Sequence, residues 1–404
     1  MPKILITGNG FDLNLGLPTS YCDFIKILDF IEGNGNPDFE SVYSHSISYL
    51  QIKQTFKPFT FDKSKLEILL KEIGKNLWFR FFKSEYEIET WIDFENKIDY
   101  VLKKLFASVV CIQATLSKGK ISNESTGFDG SIFNDDVEII AVLRSFNIIS
   151  LNRHSEIVLN SDFLLKKYGY YIDINFDKIT AYLYQALSDF KRIFNYYFEI
   201  FVFPFYNNLK VKLDKGLFEG IHQHFTFNYT PTFEMLYGRG KKTKFLHGKV
   251  SSEENKIVLG INEIPESENL NKKFFLPFTK YFQKLNYNTD YVFVKEFHNK
   301  LNDNYYFFFF GHSLDKSDED YINEVFDFVV DLKVKIKKII IIYHNEGSKS
   351  NLLINLLNIR GKKDIQDLMR GGILVFHHIQ SPELKQDFTR GIANVYAQQL
   401  VSLR

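Results

Sequence analysis

The sequence predicts an α/β fold with a doubly wound, mainly parallel sheet and a large inserted helical domain. The apolar run Ile4-Leu5-Ile6 leads directly into Gly8 and Gly10, as the first strand of an open α/β sheet leads into its glycine turn. Late in the chain, further apolar runs alternate with helical patterns: 305–310, 339–343 and 373–376. Shorter strands are predicted at 224–227, 244–246 and 257–259. This strand–turn–helix order is typical of a doubly wound sheet.

A long stretch after the first strand has helical periodicity instead. Apolar residues recur at three- and four-residue spacing within 66–82, 92–107 and 177–203, and the strand signal nearly disappears between 38 and 215. Residues 118–136 are polar and predict an exposed loop. The chain therefore divides into a first strand–loop–helix unit, an inserted helical domain and the remainder of the α/β domain: 1–30, 31–215 and 216–404.

Composition excludes several classes of protein. The 404 residues are 45% hydrophobic and 25% charged, which predicts a globular chain of two or three domains. The net charge of +1 gives no general attraction to nucleic acid or to an anionic membrane. Cys22 and Cys111 have no neighbours at metal-ligand spacing and fit a reducing, cytoplasmic setting. The most apolar stretch, 193–206, is too short and interrupted to span a bilayer. We expect no metal and no membrane.

The glycine turn departs from the usual dinucleotide fingerprint. That fingerprint needs a third glycine three residues after the second, where this chain has Leu13. Instead, Gly16-x-Pro18 follows Gly8-x-Gly10 after five residues, and a helix is expected to begin near Thr19 or Ser20. The turn either cradles a phosphate or only reverses the chain. Asp12 would repel a diphosphate, so it either caps the loop, which we favour, or contacts a ribose hydroxyl.

Three more motifs follow predicted strands, where open α/β sheets bind their ligands. Asn228 could hold a ribose hydroxyl or a water, or could close a β-turn. His247-Gly248 could supply a general base, or the histidine could be structural. Gly311-His312-Ser313-Leu314 could contact phosphate or ribose, or could cap a helix. On a predicted helix, Asp93 and Glu95 could reach the mouth of such a site, although a solvated helix start explains them as well.

These motifs resemble two families. Their order and spacing are similar to those of sirtuins and sirtuin-like NAD hydrolases: Gly8-x-Gly10, Gly16-x-Pro18, Thr226-x-Asn228, His247-Gly248 and Gly311-x-Ser313-Leu314. The chain resembles the AbiH family of bacteriophage abortive-infection proteins more closely, in blocks spread over most of its length: 6–13, 16–21, Phe24, 91–95, 227–230, 247–248 and 311–314. The resemblance implies a sirtuin-like, Rossmann-type sheet that binds NAD.

The resemblance to sirtuins also implies roles for single residues. The loop 8–10 would hold the diphosphate, Asn228 would position the ribose or the attacking water, and His247 would be the general base at the nicotinamide ribose. Ser313 would contact the adenosine side and Asn345 the adenine ribose. The residues implied to bind NAD are Gly8, Asn9, Gly10, Phe11, Asp12, Pro18, Thr226, Gly311, His312, Ser313 and Asn345.

Departures from the sirtuin pattern argue against deacylation. Two cysteines cannot form the four-cysteine zinc module of sirtuin deacylases. Their Asp-Phe-Arg after the proline is replaced here by Thr19-Ser20-Tyr21, and the aspartate that follows their asparagine by two residues is replaced by Thr230. NAD cleavage is compatible with these changes.

The leading hypothesis is an anti-phage effector that hydrolyses its substrate NAD at the nicotinamide–ribose bond. We expect it to be a homo-oligomer held silent until a trigger, such as a phage-derived protein, releases it. The alternative is a non-catalytic sensor of a nucleotide or ADP-ribose. Thr230 favours the sensor, whereas the Asn228 and His247 pair favours catalysis. A nuclease is less well supported, since the sequence lacks carboxylates at metal-binding spacing and gives no direct nucleic-acid signal.

Overall fold

The structure is a computed structural model. It describes residues 2–85, 88, 90–117, 127–128, 130–133, 136–153, 156–167, 170–207, 215–218, 220–238, 243–251, 256–265, 272–289, 293, 304–331 and 337–390. The strands are β1 (Lys3–Thr7), β2 (Gly127–Phe128), β3 (Ile149–Leu151), β4 (Ile157–Leu159), β5 (Leu164–Lys167), β6 (Tyr170–Ile174), β7 (Gln223–Thr226), β8 (Thr243–Phe245), β9 (Tyr305–Phe310), β10 (Lys337–Tyr343) and β11 (Leu374–His378).

Helices connect and cover these strands. They are α1 (Asn9–Asn14), α2 (Tyr21–Glu32), α3 (Phe39–Tyr43), α4 (Tyr49–Thr55), α5 (Lys63–Ile73), α6 (Leu77–Lys83), α7 (Trp91–Ser117), α8 (Val137–Ser145), α9 (Phe176–Tyr197), α10 (Lys215–Phe218), α11 (Thr232–Leu236), α12 (Lys272–Phe275), α13 (Lys280–Tyr287), α14 (Glu319–Asp331), α15 (Glu346–Arg370) and α16 (Pro382–Thr389). A π-helical turn, Phe198–Val202, continues α9.

Six parallel strands form the central sheet, in the order β8-β7-β1-β9-β10-β11. The chain runs from β1 to β7 and β8 on one side and then returns to β9 on the other side, so the direction of winding reverses between β1 and β9. In register, Thr7 pairs with Thr226 and with Phe310, so β1, β7 and β9 end level with one another. The predicted α/β fold with a mainly parallel sheet is confirmed.

Both faces of the sheet are buried, as a parallel sheet requires. Leu5 and Phe308 belong to one core, which includes helices from the segment between β1 and β7. Ile6 and Phe307 belong to the core on the other face, where Val325 of α14 also lies. The alternation follows from the strand repeat, since successive side chains point to opposite faces.

The segment between β1 and β7 contains more than helices. The predicted pattern at 66–82 is divided into α5 and α6 at Gly74–Asn76, where Asn76 caps α6 by accepting from the Phe79 amide. The strands β2 to β6 also lie in this segment. They are two to five residues long and pair antiparallel. Runs this short carry too little alternation to predict strands. Most of the loop predicted at 118–136 lies outside the described residues, and 257–259 are described but are not a strand.

One helical segment, Asp93–Ser117 of α7, is long and apolar enough to cross a membrane, with a mean hydropathy of 1.2. A core helix passes the same test. Here Phe94, Ile98 and Leu102 are fully buried inside the protein, so this segment is weak evidence for a membrane span.

Three glycines allow the loops after β1 and β9 to touch. A Cβ on Gly8 would lie 2.6 Å from the backbone of His312, and one on Gly10 would lie 2.8 Å from Gly311 Cα. A Cβ on Gly311 would lie 2.2 Å from the Phe11 amide nitrogen, and its φ of +66° also favours glycine. The two loops can therefore pack backbone against backbone only without side chains at these positions.

Replacing Gly311 should test this packing. Gly311→Ala is expected to destabilise the fold by about 2–4 kcal/mol, because left-handed strain and a backbone clash add together. Gly372→Ala is the matched control, since Gly372 has the same φ of +66° and open space around it. It should cost only about 1 kcal/mol. Equal losses for both variants in urea unfolding would contradict the packing argument.

Candidate functional site

A cavity of about 610 Å3 lies at the carboxyl ends of the central strands. Its position agrees with the rule that open α/β sheets bind ligands where the strand order reverses. Many residues singled out in the sequence line it together: Gly8, Asn9, Gly10, Asp12, Asn228, His247, Gly311, His312 and Ser313. These residues come from the ends of β1, β7, β8 and β9, far apart in the chain. The volume is within the roughly 300–1,000 Å3 of small-molecule sites.

Two of the predicted binding residues, Phe11 and Thr226, lie behind the residues that line the cavity. Phe11 is buried, and its ring lies edge-on to Phe310 with centroids 5.2 Å apart. The Thr226 hydroxyl accepts hydrogen bonds from the Thr7 hydroxyl at 2.9 Å and from the backbone N–H of Asn228 at 3.0 Å. Both residues therefore shape the cavity without being among its lining residues.

Pro18 and Asn345 are also outside the lining residues. The Pro18 carbonyl accepts a hydrogen bond of 2.7 Å from the Tyr197 hydroxyl. Asn345 caps α15, where its side chain accepts from the Ser348 amide at 2.8 Å. Ser348 itself lines the cavity. A contact between Asn345 and a ligand remains a prediction.

The glycine turn after β1 is used differently from the sequence expectation. The Gly8 amide donates to the Phe310 carbonyl at 3.1 Å, and the Gly10 amide donates to the Gly311 carbonyl at 2.8 Å. Both amides are therefore occupied by the loop after β9. The glycines are needed here for contact between two loops, and a short helix that was not predicted, α1, begins at Asn9. The expected helix does follow as α2, with Ser20 as its cap.

Asp12 is a buried carboxyl in the cavity wall. Its Oδ2 accepts a hydrogen bond from the Thr230 hydroxyl, whereas Oδ1 has no partner among the described residues. Burial raises the pKa of Asp12 to about 7, against the opposing effect of the Thr230 hydroxyl. Among the described residues, neither oxygen of Asp12 accepts from a backbone amide, so the structure does not show the predicted capping of the loop.

Asn228 is fixed by the glycine turn. Its Nδ2 donates to the Gly8 carbonyl at 3.0 Å, and its side chain also lowers the pKa of Asp12 by hydrogen bonding. The residue is 7% exposed. The hydrogen bond to the Gly8 carbonyl fixes the NH2 end of this side chain in the cavity wall.

His247 faces a carboxylate that it shares with a second histidine. Its Nε2 lies 3.2 Å from Oδ1 of Asp318, and Nε2 of His312 lies 3.3 Å from Oδ2 of the same residue. The contact with His247 is close enough for an ion pair but not aligned as a hydrogen bond. Burial lowers the pKa of His247 to about 4, although Asp318 acts in the opposite direction. Burial would raise the pKa of Asp318, but the two histidines hold it well below its usual value.

A buried ion pair closes another side of the cavity. Nζ of Lys280, in α13, lies 2.6 Å from Oε2 of Glu95, in α7, and both residues line the cavity. Burial raises the pKa of Glu95, with Lys280 opposing it. Asp93, by contrast, accepts from the Thr90 amide and hydroxyl at the start of α7, so it is a helix-capping residue.

The sequence did not identify Lys280 or the role of Asp318. Lys280 follows a stretch without motif, so no local signal could have found it. Asp318 lies in a Ser- and Asp-rich segment that also predicts a helix cap. Among the described residues there is no group of three or more His, Cys, Asp or Glu that could hold a metal ion.

The buried Asp12 carboxyl predicts a pH-dependent stability. Its pKa is about 7 in the folded protein and near 3.8 without burial, so ionisation opposes folding increasingly as the pH rises between these values. Asp12→Asn should remove this cost. Relative to the wild type, the variant should gain up to about 1.4 kcal/mol per pH unit from about pH 4 to about pH 7, and then level off.

Urea unfolding of both proteins at about pH 4, 6 and 8 measures this difference. Asp320→Asn controls for the loss of one exposed charge. A difference between wild type and Asp12→Asn that does not change with pH would contradict the burial of a titrating carboxyl.

One of three comparisons with known proteins found a match. A family model described as "Bacteriophage abortive infection AbiH" matches residues 4–343. The match spans β1 to β10 and includes the cavity residues of β1, β7, β8 and β9. No curated protein and no solved structure matches the chain. Because the family match covers well over half of its length, the chain belongs to the bacteriophage abortive infection AbiH family.

Proposed function

We propose that this protein is an abortive-infection effector that hydrolyses NAD at the nicotinamide–ribose bond. Membership of the AbiH family implies the role in abortive infection. The observation that carries the chemistry is the convergence of Asn228, His247 and the buried Asp12 on one cavity. A fixed amide, a neutral imidazole and a carboxyl, which are the groups needed for the proposed cleavage, thus line one cavity.

The strand order supports a nucleotide as the ligand. Numbered along the chain, the sheet order is 3-2-1-4-5-6, which is also the order of doubly wound dinucleotide-binding sheets. We propose that the sheet is a sirtuin-like Rossmann-type domain and that residues 31–215 are its inserted domain. Because the Gly8 and Gly10 amides already donate to carbonyls, we expect the turn to contribute shape rather than amide donors to a diphosphate.

The proposed reaction breaks one bond and forms one. A water oxygen attacks C1′ of the nicotinamide ribose, the C1′–N bond breaks, and nicotinamide leaves with the bonding electrons. Asn228 orients the water or the ribose, and His247, neutral at pH 7 because burial lowers its pKa to about 4, takes the proton. The products are nicotinamide, ADP-ribose and a proton.

We propose that Asp12 takes the part of the carboxylate that the sirtuin pattern has two residues after its asparagine. The sequence replaces that carboxylate by Thr230, but the Thr230 hydroxyl donates to Asp12. The substitution that favoured a non-catalytic sensor is therefore matched by a carboxyl from α1. Its ionised form would stabilise the positive, oxocarbenium-like transition state through space, since Asp12 has no exposed surface.

The remaining parts of the proposal concern the cell. We propose a cytoplasmic protein, active as a homo-oligomer and triggered by a phage-derived protein. Loss of NAD would stop the growth of the infected cell. Silence before infection would be necessary, because constant hydrolysis would harm the host.

Nicotinamide release from NAD by the purified protein, with and without extract of phage-infected cells, tests the proposal. Asn228→Ala and His247→Ala should each lower the rate at least about 100-fold, because positioning and proton transfer are lost. Asn34→Ala and His45→Ala are matched controls outside the cavity and should keep the wild-type rate.

Other outcomes distinguish the alternatives. If no nicotinamide is released but NAD or ADP-ribose raises Tm, the sensor replaces the hydrolase. If neither release nor a shift in Tm occurs under any condition, the nucleotide proposal is wrong.

A further inference from the structure

The contact between His247, Asp318 and His312 determines which nitrogen of each ring can carry a proton. The Leu314 amide lies 2.9 Å from Nδ1 of His312. A backbone amide can only donate, so this Nδ1 must accept and the proton of the neutral His312 ring must be on Nε2. That Nε2 is the atom that faces Oδ2 of Asp318 at 3.3 Å. One carboxylate oxygen is therefore engaged by His312.

The other carboxylate oxygen is left for His247. Oδ1 of Asp318 and Nε2 of His247 are both buried and both lack an aligned hydrogen bond among the described residues, yet they lie 3.2 Å apart. Oδ1 can therefore accept a hydrogen bond from Nε2 once the two groups are aligned. Catalytic hydrogen bonds are often poorly aligned in the absence of ligand and tighten when it binds.

We propose that Asp318 is a positioning residue that holds the neutral His247 ring with its proton on Nε2 and leaves Nδ1 as the base. A carboxylate can only accept, so the nitrogen that faces it must carry the proton. The inference rests on the proposed function, in which His247 receives the proton of the attacking water. Asp318 itself acts through His247 rather than on the substrate.

The surroundings favour an ionised Asp318. Lys280 faces it from α13 and helps to hold its pKa well below the usual value. Lys284 of the same helix and Glu95 of α7 complete the charged groups around this cluster. The two lysines also act to lower the pKa of His247, so the ring stays neutral and its tautomer matters.

Replacement of Asp318 by asparagine is expected to change the tautomer of His247. In Asp318→Asn, the side-chain oxygen can still accept from His312, and the NH2 group then faces Nε2 of His247. Nε2 must now accept, so the proton of His247 is expected to move to Nδ1, the wrong nitrogen for the base. Since general-base catalysis is then lost, we expect kcat of Asp318→Asn to fall by about 10²- to 10⁴-fold, with little change in KM.

Two-bond proton–nitrogen NMR spectra of the full chain labelled with ¹⁵N-histidine read the tautomers directly near pH 7. His247→Gln assigns the signals of His247. We expect the Nε2–H form in the wild type and in the exposed control Asp320→Asn, and the Nδ1–H form in Asp318→Asn. Thermal unfolding shows whether each variant folds. If Asp318→Asn does not fold, the tautomer of His247 in the wild type still tests the inference.

Either of two results would overturn the inference: an Nδ1–H form of His247 in the wild type, or an unchanged tautomer in folded Asp318→Asn. Because the spectra require no NAD turnover, they separate this inference from the proposed function. Absence of nicotinamide release with the expected tautomers would refute the hydrolase alone.

Discussion

The structure depends on the contact between two loops, one after β1 and one after β9. Hydrogen bonds from Gly8 and Gly10 to Phe310 and Gly311 join the loops backbone to backbone. This contact lies where the winding of the sheet reverses, so it forms the floor of the cavity. A side chain on any of the three glycines would push the loops apart and would displace Asn228, which is held by the Gly8 carbonyl.

The sequence predicted which motifs lie close together better than it predicted the contacts that each residue makes. Motifs at the ends of four separate strands come together because parallel strands end at one edge of a sheet. The contact of the glycines with the loop after β9 was not predicted, because local sequence cannot distinguish close approach to a ligand from close approach to another loop. The contact of Asp12 with Thr230 was not predicted either, since Thr230 is distant in sequence and near only in the fold.

Other features could not be read from the sequence at all. Lys280 reaches the cavity from a segment without any motif, and its partner Glu95 is far away in the chain, in α7. The strands β3 and β4 are three residues each; β3 pairs with β4, and β4 also pairs with the two-residue strand β2. Such short pairings depend on tertiary packing rather than on periodicity. The division into domains at 31–215 stays a prediction.

Burial of several titratable groups gives the cavity its chemical character. Asp12, Asp318, Glu95, Lys280 and His247 are all removed from water, and desolvation acts on the pKa of each. Pairing keeps some of them charged, whereas Asp12 has only hydroxyl and amide partners. Charges held in place away from water act more strongly than charges in water, so the charged members of this set would favour the proposed cleavage through a cationic transition state.

A crystal structure of the protein with ADP-ribose tests the central claim most directly. The account predicts ADP-ribose in the cavity between the loops after β1 and β9, with its terminal ribose within hydrogen-bonding distance of Asn228 and His247. ADP-ribose bound at another surface, with this cavity left empty, would contradict it.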